Sequence, residues 1–199
     1  MKSAAVGFRV HSGWTALVAV ALQEGKPIVL ARQRPHLVQT FSYTFRQPYH
    51  TAEKMALEQA REFLAKQQAE ARCYALAAIR ATERDVAQQG YEVTRAALLL
   101  ASGRQLPELV KILAAHSLIH TADGEFFREA LLRGCAQLKL PVNCFKEREL
   151  LGIASEALRC KPAVLAKVAG DLGKPLGSPW TQDEKFATLA AWCALVKPT

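Results

Sequence analysis

A chain of 199 residues, half of them hydrophobic and 22% charged, has the make-up of a folded domain with a proper core, which excludes a disordered segment. Its net charge of +8 is compatible with a polyanionic partner, yet the basic residues are spread along the chain rather than gathered in a tail. No apolar run approaches the ~20 residues that a bilayer-spanning helix needs. Arg9 and His11 interrupt what would have to be a signal-peptide core, so a cytoplasmic protein with no membrane partner is expected. The five cysteines (Cys73, Cys135, Cys144, Cys160 and Cys193) are scattered and lack zinc-ligand spacing, and they read as reduced thiols.

The chain opens with three predicted strands, at residues 3–10, 14–22 and 27–33. Gly13 sits in the first turn, where positive φ is often required. Residues 41–45 alternate in a β manner between Pro35 and Pro48, as a strand extension or an ordered loop. Thr51 is expected to cap a helix whose apolar positions Met55, Leu57, Ala60, Phe63 and Leu64 recur at helical spacing. The pattern continues to about Gln89, long enough that a break or bend near residue 70 is expected.

A nearly wholly apolar strand follows at 96–101, turned by Ser102 and Gly103. One helix is predicted from Pro107 to about Leu118, and a second from Thr121 or Asp123 to Leu138. Residues 141–145 form the fifth strand. Helices at 147–158, 162–172 and 183–196 complete the chain, with a loop at 174–180. Two short apolar runs joined by about forty residues of helical pattern are the mark of parallel strands in a βαβ unit. The expected whole is therefore α/β: a five-stranded mixed sheet, three strands antiparallel and then two parallel, flanked by helices. Residues 1–199 form one domain, with 147–199 as a helical C-terminal portion packing on it.

Local sequence agrees with that order. The stretch Phe127-Arg-Glu-Ala-Leu-Leu-Arg-Gly-Cys-Ala-Gln-Leu-Lys-Leu-Pro-Val-Asn-Cys-Phe-Lys-Glu-Arg148 has a helix ending in a leucine-proline-valine step and a strand closing on Lys146-Glu147-Arg148. Near the C-terminus, Cys160-Lys-Pro-Ala-Val-Leu-Ala-Lys-Val leads on to Gln182-Asp-Glu-Lys-Phe-Ala-Thr-Leu-Ala-Ala-Trp192. Val6-Gly7-Phe8-Arg9 and Gly13 supply a first strand and a glycine-containing turn. Together these resemble the Holliday-junction resolvase families of the RNase H-like superfamily. The resemblance implies a nuclease fold in which several carboxylates converge on the sheet to hold Mg²⁺. Here the first-strand acid would fall at Arg9 or Val10, and the end of the fourth strand offers Ser102 and Gly103. Lys146 stands where the triplet has its leading acid, and Phe186 where a second helix aspartate is expected. Glu147, Asp183 and Glu184 are the acids left as catalytic candidates.

Other constellations are less specific. His116 and His120 lie four apart on a predicted helix, as metal-binding pairs do, but with no third ligand set by spacing. They are more simply explained as the end of one helix, and no metal site is expected from them. Ser12 beside His11, and Ser117 beside His116, diverge too far to form catalytic dyads. The glycines of residues 170–177 lack the Lys-Ser/Thr ending of a phosphate loop. Arg32, Arg34, His36, Arg46 and His50 interleave with Phe41, Tyr43, Phe45 and Tyr49, a pattern suited either to nucleic acid or to core aromatics beneath a charged face. Arg32, Arg34, Arg46, Lys146 and Arg148 are the nucleic-acid candidates.

The resulting expectation is a non-catalytic RNase H-like domain that binds DNA, RNA or a protein partner. One alternative is an enzyme, nuclease or other hydrolase, with a rearranged acidic site near Glu147 and Asp183, and Mg²⁺ as a cofactor only in that case. The other is a structural, homo-oligomeric interaction protein.

Overall fold

A computed structural model describes residues 1–101 and 105–196; the turn expected at Ser102 and Gly103 lies outside the described residues. Three strands open the chain, β1 (Lys2–His11), β2 (Trp14–Gln23) and β3 (Lys26–Gln33). Each pairs antiparallel with the next. Strand β4 (Tyr91–Leu100) pairs parallel with β1, and β5 (Val142–Lys146) pairs parallel with β4. The order across the sheet is β3-β2-β1-β4-β5, the mixed sheet that the sequence predicts.

Alternation along β1 divides the core in two. Val6, Phe8 and Val10 face one side, where they meet Ala75 and Ile79 of α3 (Leu57–Gln88) and Phe127 and Leu131 of α5 (His116–Gln137). Ala5 faces the other side with Val18, Val20, Ala97 and Leu99. That side is covered by α6 (Leu150–Ala157), α7 (Pro162–Asp171) and α8 (Gln182–Val196). Helix α8 is alanine-rich and buried along most of its length, which lets it lie directly on the sheet. The closest approach is at Gly7, where a Cβ would sit 1.9 Å from the carbonyl oxygen of Ala187.

Several boundaries differ from the sequence expectation. Helix α3 runs 32 residues with no break near residue 70. Its buried row, Ala60, Leu64, Gln67, Ala71, Ala75, Ala78, Thr82 and Val86, recurs every three or four residues, so one face stays seated throughout. The β-like alternation at 41–45 is overridden. Tyr43–Arg46 forms the short helix α1, and Pro48 starts α2 (Pro48–Ala52) from its favoured N-terminal position. Thr51 therefore lies inside α2 and does not cap α3. Strand β4 begins at Tyr91 rather than 96, because its polar first half pairs with Lys2, Ser3 and Ala4 of β1. Helix α4 (Leu109–Leu113) ends earlier than expected. His116 and His120 consequently open α5 instead of closing the helix before it. Residues 147–149 form a single 3₁₀ turn, and α6 starts at Leu150.

Strands β1, β4 and β5 are mutually parallel, so their C-termini share one edge of the sheet. β3 runs with them, which brings Arg34 and His36 to the same edge; His36 bridges to Trp14. The middle of α5 reaches this edge too, since Arg128 donates from Nε to the Leu99 carbonyl at the end of β4 (3.0 Å).

Candidate functional site

Two residues beyond Gly7, on the same face of β1, stands Arg9; one turn before Ala187, in α8, stands Asp183. The close seating at Gly7 thus sets these two side chains against each other. Arg9 donates from Nε and Nη2 to the two carboxylate oxygens of Glu147, at 3.0 and 2.6 Å, and from Nη1 to Asp183 Oδ1. Its guanidinium carbon lies 5.7 Å from the centre of the Phe186 ring. A planar five-donor group is well matched to a carboxylate gripped through both oxygens with a second acid at its flank. The hydrogen bond to Glu147, helped by Asp183 and opposed by burial, raises the Arg9 pKa above its already high value.

Asp183 also takes the ring of His11, whose Nε2 is 2.7 Å from Oδ1. Burial opposes ionisation of Asp183, but the hydrogen bond and charge of His11, followed by those of Arg9, outweigh it and hold the carboxyl below its ordinary range. Glu184 faces a different arginine. Arg34 donates to both its oxygens, at 2.5 and 2.9 Å. The Thr181 backbone N–H donates to the same carboxylate at 2.7 Å, while the Thr181 hydroxyl accepts from the Asp183 N–H at 3.2 Å. This is the reciprocal capping arrangement of a threonine followed three residues later by glutamate. The Glu184 carboxyl, with 0% exposure, is pushed up by burial and pulled further down by Arg34 and Thr181, so it remains ionised.

The three acids named in the sequence therefore do converge, but around arginines. Glu147 and Asp183 share Arg9, and Glu184 is occupied by the helix cap and Arg34. A Mg²⁺ ion needs carboxylate oxygens free to face it. Here the Arg9 guanidinium stands between the acids, and the residues present do not fit such an ion.

Beside this network the edge carries two stacked pairs. His11 lies on Trp14 with ring centres 4.4 Å apart and planes 8° apart, and the Arg34 guanidinium sits 5.0 Å over the same indole. His36 lies on Phe41 at 4.4 Å and 15°, with the Arg46 guanidinium 4.3 Å over that ring. Trp14, Arg34, His36 and Phe41 line a cleft of about 270 Å³. Phe41 and Tyr43 are 42% and 60% exposed, whereas Phe45 and Tyr49 pack against the core. Two of the four rings are thus open to solvent and two belong to the core.

The other basic candidates are placed differently. Arg32 donates to the carbonyls of Gly177 and Pro179 at 2.8 and 2.7 Å, clamping the loop before α8. Arg46 also reaches the Ser12 carbonyl at 3.2 Å. Lys146 and Arg148 both lie near Glu149, at 3.6 and 3.4 Å, and Arg148 is well exposed. Arg148 and Glu147 line a second cleft of about 480 Å³ with Ala101, Leu151 and Phe186, at the strand ends where α/β sheets place ligands.

Arg128 was not singled out in the sequence, and His50 was read only as a basic residue of the aromatic stretch. Arg128 of α5 is close enough to Arg9 and Glu147 to feel their charges; burial is the main reason its pKa is lowered. His50 of α2 stands against His116 and His120, with ring centres 5.3 and 4.5 Å away. Its Nδ1 is 2.5 Å from Asp123 Oδ2, and Asp123 Oδ1 accepts the Tyr49 N–H at 2.7 Å. The spacing of His116 and His120 was legible; the third histidine depended on α2 packing against α5.

No protein-family model matches the chain, and no curated protein matches it by sequence. Solved structures do match it in shape. Thermus thermophilus RuvC superposes with a TM-score of 0.52 at 12% identity, covering 97% of this chain and 93% of that one. T. thermophilus RuvC in complex with a Holliday junction substrate gives 0.54 at 11% identity, covering 98% and 93%. The yeast mitochondrial Holliday junction resolvase Ydc2 gives 0.51 at 10% identity, covering 96% and 81%. Taken with the strand order β3-β2-β1-β4-β5, these likenesses give the chain the RNase H-like fold of RuvC-type Holliday junction resolvases.

Proposed function

We propose that the chain is a non-catalytic, nucleic-acid-binding form of the RuvC-type fold. The observation that carries this reading is Arg9. Its guanidinium bonds both Glu147 and Asp183 at the point where a two-metal nuclease would gather free carboxylates. A fixed monovalent cation balances the acids there but activates no water. Binding is supported by the neighbouring stacked pairs, His11–Trp14 under Arg34 and His36–Phe41 under Arg46. Exposed aromatic faces next to guanidinium groups suit bases and phosphates of unpaired or branched strands. The charge of +8 favours the encounter. One of the structures of similar shape holds a Holliday junction, which makes four-way DNA the first substrate to try.

The test is a fluorescence-anisotropy titration of labelled single-stranded, duplex and four-way-junction DNA, and of RNA. It is run at two salt concentrations with and without Mg²⁺, with products examined on a gel. Salt-sensitive binding without cleavage is the expected result. Mg²⁺-dependent cleavage would return the enzyme reading, with Glu147 and Asp183 as its acids.

A second reading, an interaction protein indifferent to nucleic acid, is favoured by one feature. An apolar groove of about 690 Å³ runs beside edge strand β3, lined by Pro27, Ile28, Val29, Leu172, Leu176 and Trp192. A stable homo-oligomer in light scattering, with no anisotropy change at low salt, would select it.

A further inference from the structure

We propose that His50, His116 and His120 form a binding site for a transition-metal ion of the Zn²⁺ class, tethering α2 to the N-terminus of α5. One ligand nitrogen from each ring lies within 4.8 Å of the others. The Nε2 atoms of His116 and His120 are 3.0 Å apart. Two imidazole nitrogens on a tetrahedral Zn²⁺, each at roughly 2.0–2.1 Å, are separated by about 3.3 Å. The His116–His120 pair, four apart on one helix face, already stands near that spacing, and the His50 nitrogen lies within 4.8 Å of both.

The groups behind the cluster point the same way. Asp123 binds His50 at Nδ1 and is itself held by the Tyr49 N–H, so His50 is left with Nε2 as its ligand atom. A carboxylate fixing the far nitrogen of a histidine is the usual support for a metal-bound imidazole. Three neutral nitrogen donors, without a carboxylate among them, select Zn²⁺ and its neighbours over Mg²⁺ or Ca²⁺. His50 is buried while His116 and His120 are exposed, so an ion has a route in and one coordination position toward water. Simple aromatic packing explains less. It would bury the rings, whereas two of the three are open to solvent and it is their nitrogens that meet.

The site is independent of the nucleic-acid reading. It joins the aromatic segment to the body of the protein, because the Tyr43 ring meets His50 edge-on at 6.4 Å. The test uses the full, untagged chain stripped with chelator. It is titrated with Zn²⁺ by calorimetry and with Co²⁺ by visible absorption, and thermal unfolding is followed with and without Zn²⁺. One ion per chain, the visible bands of four-coordinate Co²⁺, and a rise in Tm with Zn²⁺ but not Mg²⁺ are expected. His116→Ala and His120→Ala, both at exposed positions, should each weaken Zn²⁺ binding at least a hundredfold with the unliganded Tm unchanged. Cys73→Ser, at an exposed thiol away from the cluster, should not alter it. Absence of binding at micromolar Zn²⁺, or affinity unchanged in the His116→Ala/His120→Ala double variant, would overturn the proposal.

Discussion

Two clusters of ionisable side chains belong to the helical layers on opposite faces of the sheet. On the α8 face, Arg9 and Arg34 meet Glu147, Asp183 and Glu184, so that each charge has its opposite built into the chain. On the α5 face, His50, His116 and His120 turn donors of a single kind toward one another, with the one carboxylate set behind them. The contrast teaches that convergence of polar groups does not by itself define a metal site. What decides is whether the cation is already supplied covalently by the chain. The α8 face, whose fold would lead one to expect metal ions, is filled by guanidinium. The α5 face, where the fold implies nothing, has the better donor set.

The sharpest way to break the first cluster is at its seating. Gly7→Ala would drive a methyl into the Ala187 carbonyl and push α8 off β1, which we expect to cost about 3 kcal/mol by overpacking. Urea unfolding measures it, and a change under 1 kcal/mol would show that α8 shifts freely, on the same scale of overpacking effects.

Arg9→Ala leaves Glu147 and Asp183 without their shared partner. The expected loss is about 2 kcal/mol, below the range for a fully buried pair because a fifth of the Arg9 side chain is exposed. Arg9→Asp goes further and tests the contrast itself. It puts a third carboxylate beside the other two, so Mg²⁺ should raise the Tm of this variant and leave the parent and Arg9→Ala unmoved.

Phe41→Ala separates binding from stability. Loss of one stacking face should weaken single-stranded or junction binding by about 1–3 kcal/mol in anisotropy. Unfolding free energy should move by no more than about 0.5 kcal/mol, since the ring is largely at the surface.

The smallest effect is in pH. Asp183 and Glu184 are held below their unfolded values of about 3.9 and 4.3. The unfolded chain therefore takes up protons first as pH falls. The stability these groups contribute is complete above about pH 4–5 and is lost as pH drops through their folded values. Urea unfolding between pH 7 and 3 should show this loss, and Asp183→Asn should make the acid limb shallower.

Some of this was open to reading in the chain. The five-stranded mixed sheet followed from apolar runs and helical spacing, and Arg9 could be seen to stand where the resemblance leads one to expect an acid. Thr181 and Glu184 carried the spacing of a capping box, although the helix was expected to begin only at Asp183. Other features were hidden. The alternation of Phe41, Tyr43 and Phe45 suited a strand extension or an ordered loop, whereas Pro48 and the packing of Phe45 and Tyr49 accompany short helices. His50 looked like one basic residue in an aromatic stretch.

What the sequence determined by itself is the local and periodic: five strands, long amphipathic helices, and a first strand bearing arginine in place of aspartate. These are written in neighbouring residues, at spacings of two or of three to four. Only the tertiary structure decided that Arg9 grips both Glu147 and Asp183, and that His50 completes the pair formed by His116 and His120. Both depend on contacts between segments far apart in the chain, the first set by α8 lying on Gly7 and the second by Asp123 holding α2 against α5. Such distances follow from how whole faces pack, and no local pattern encodes them.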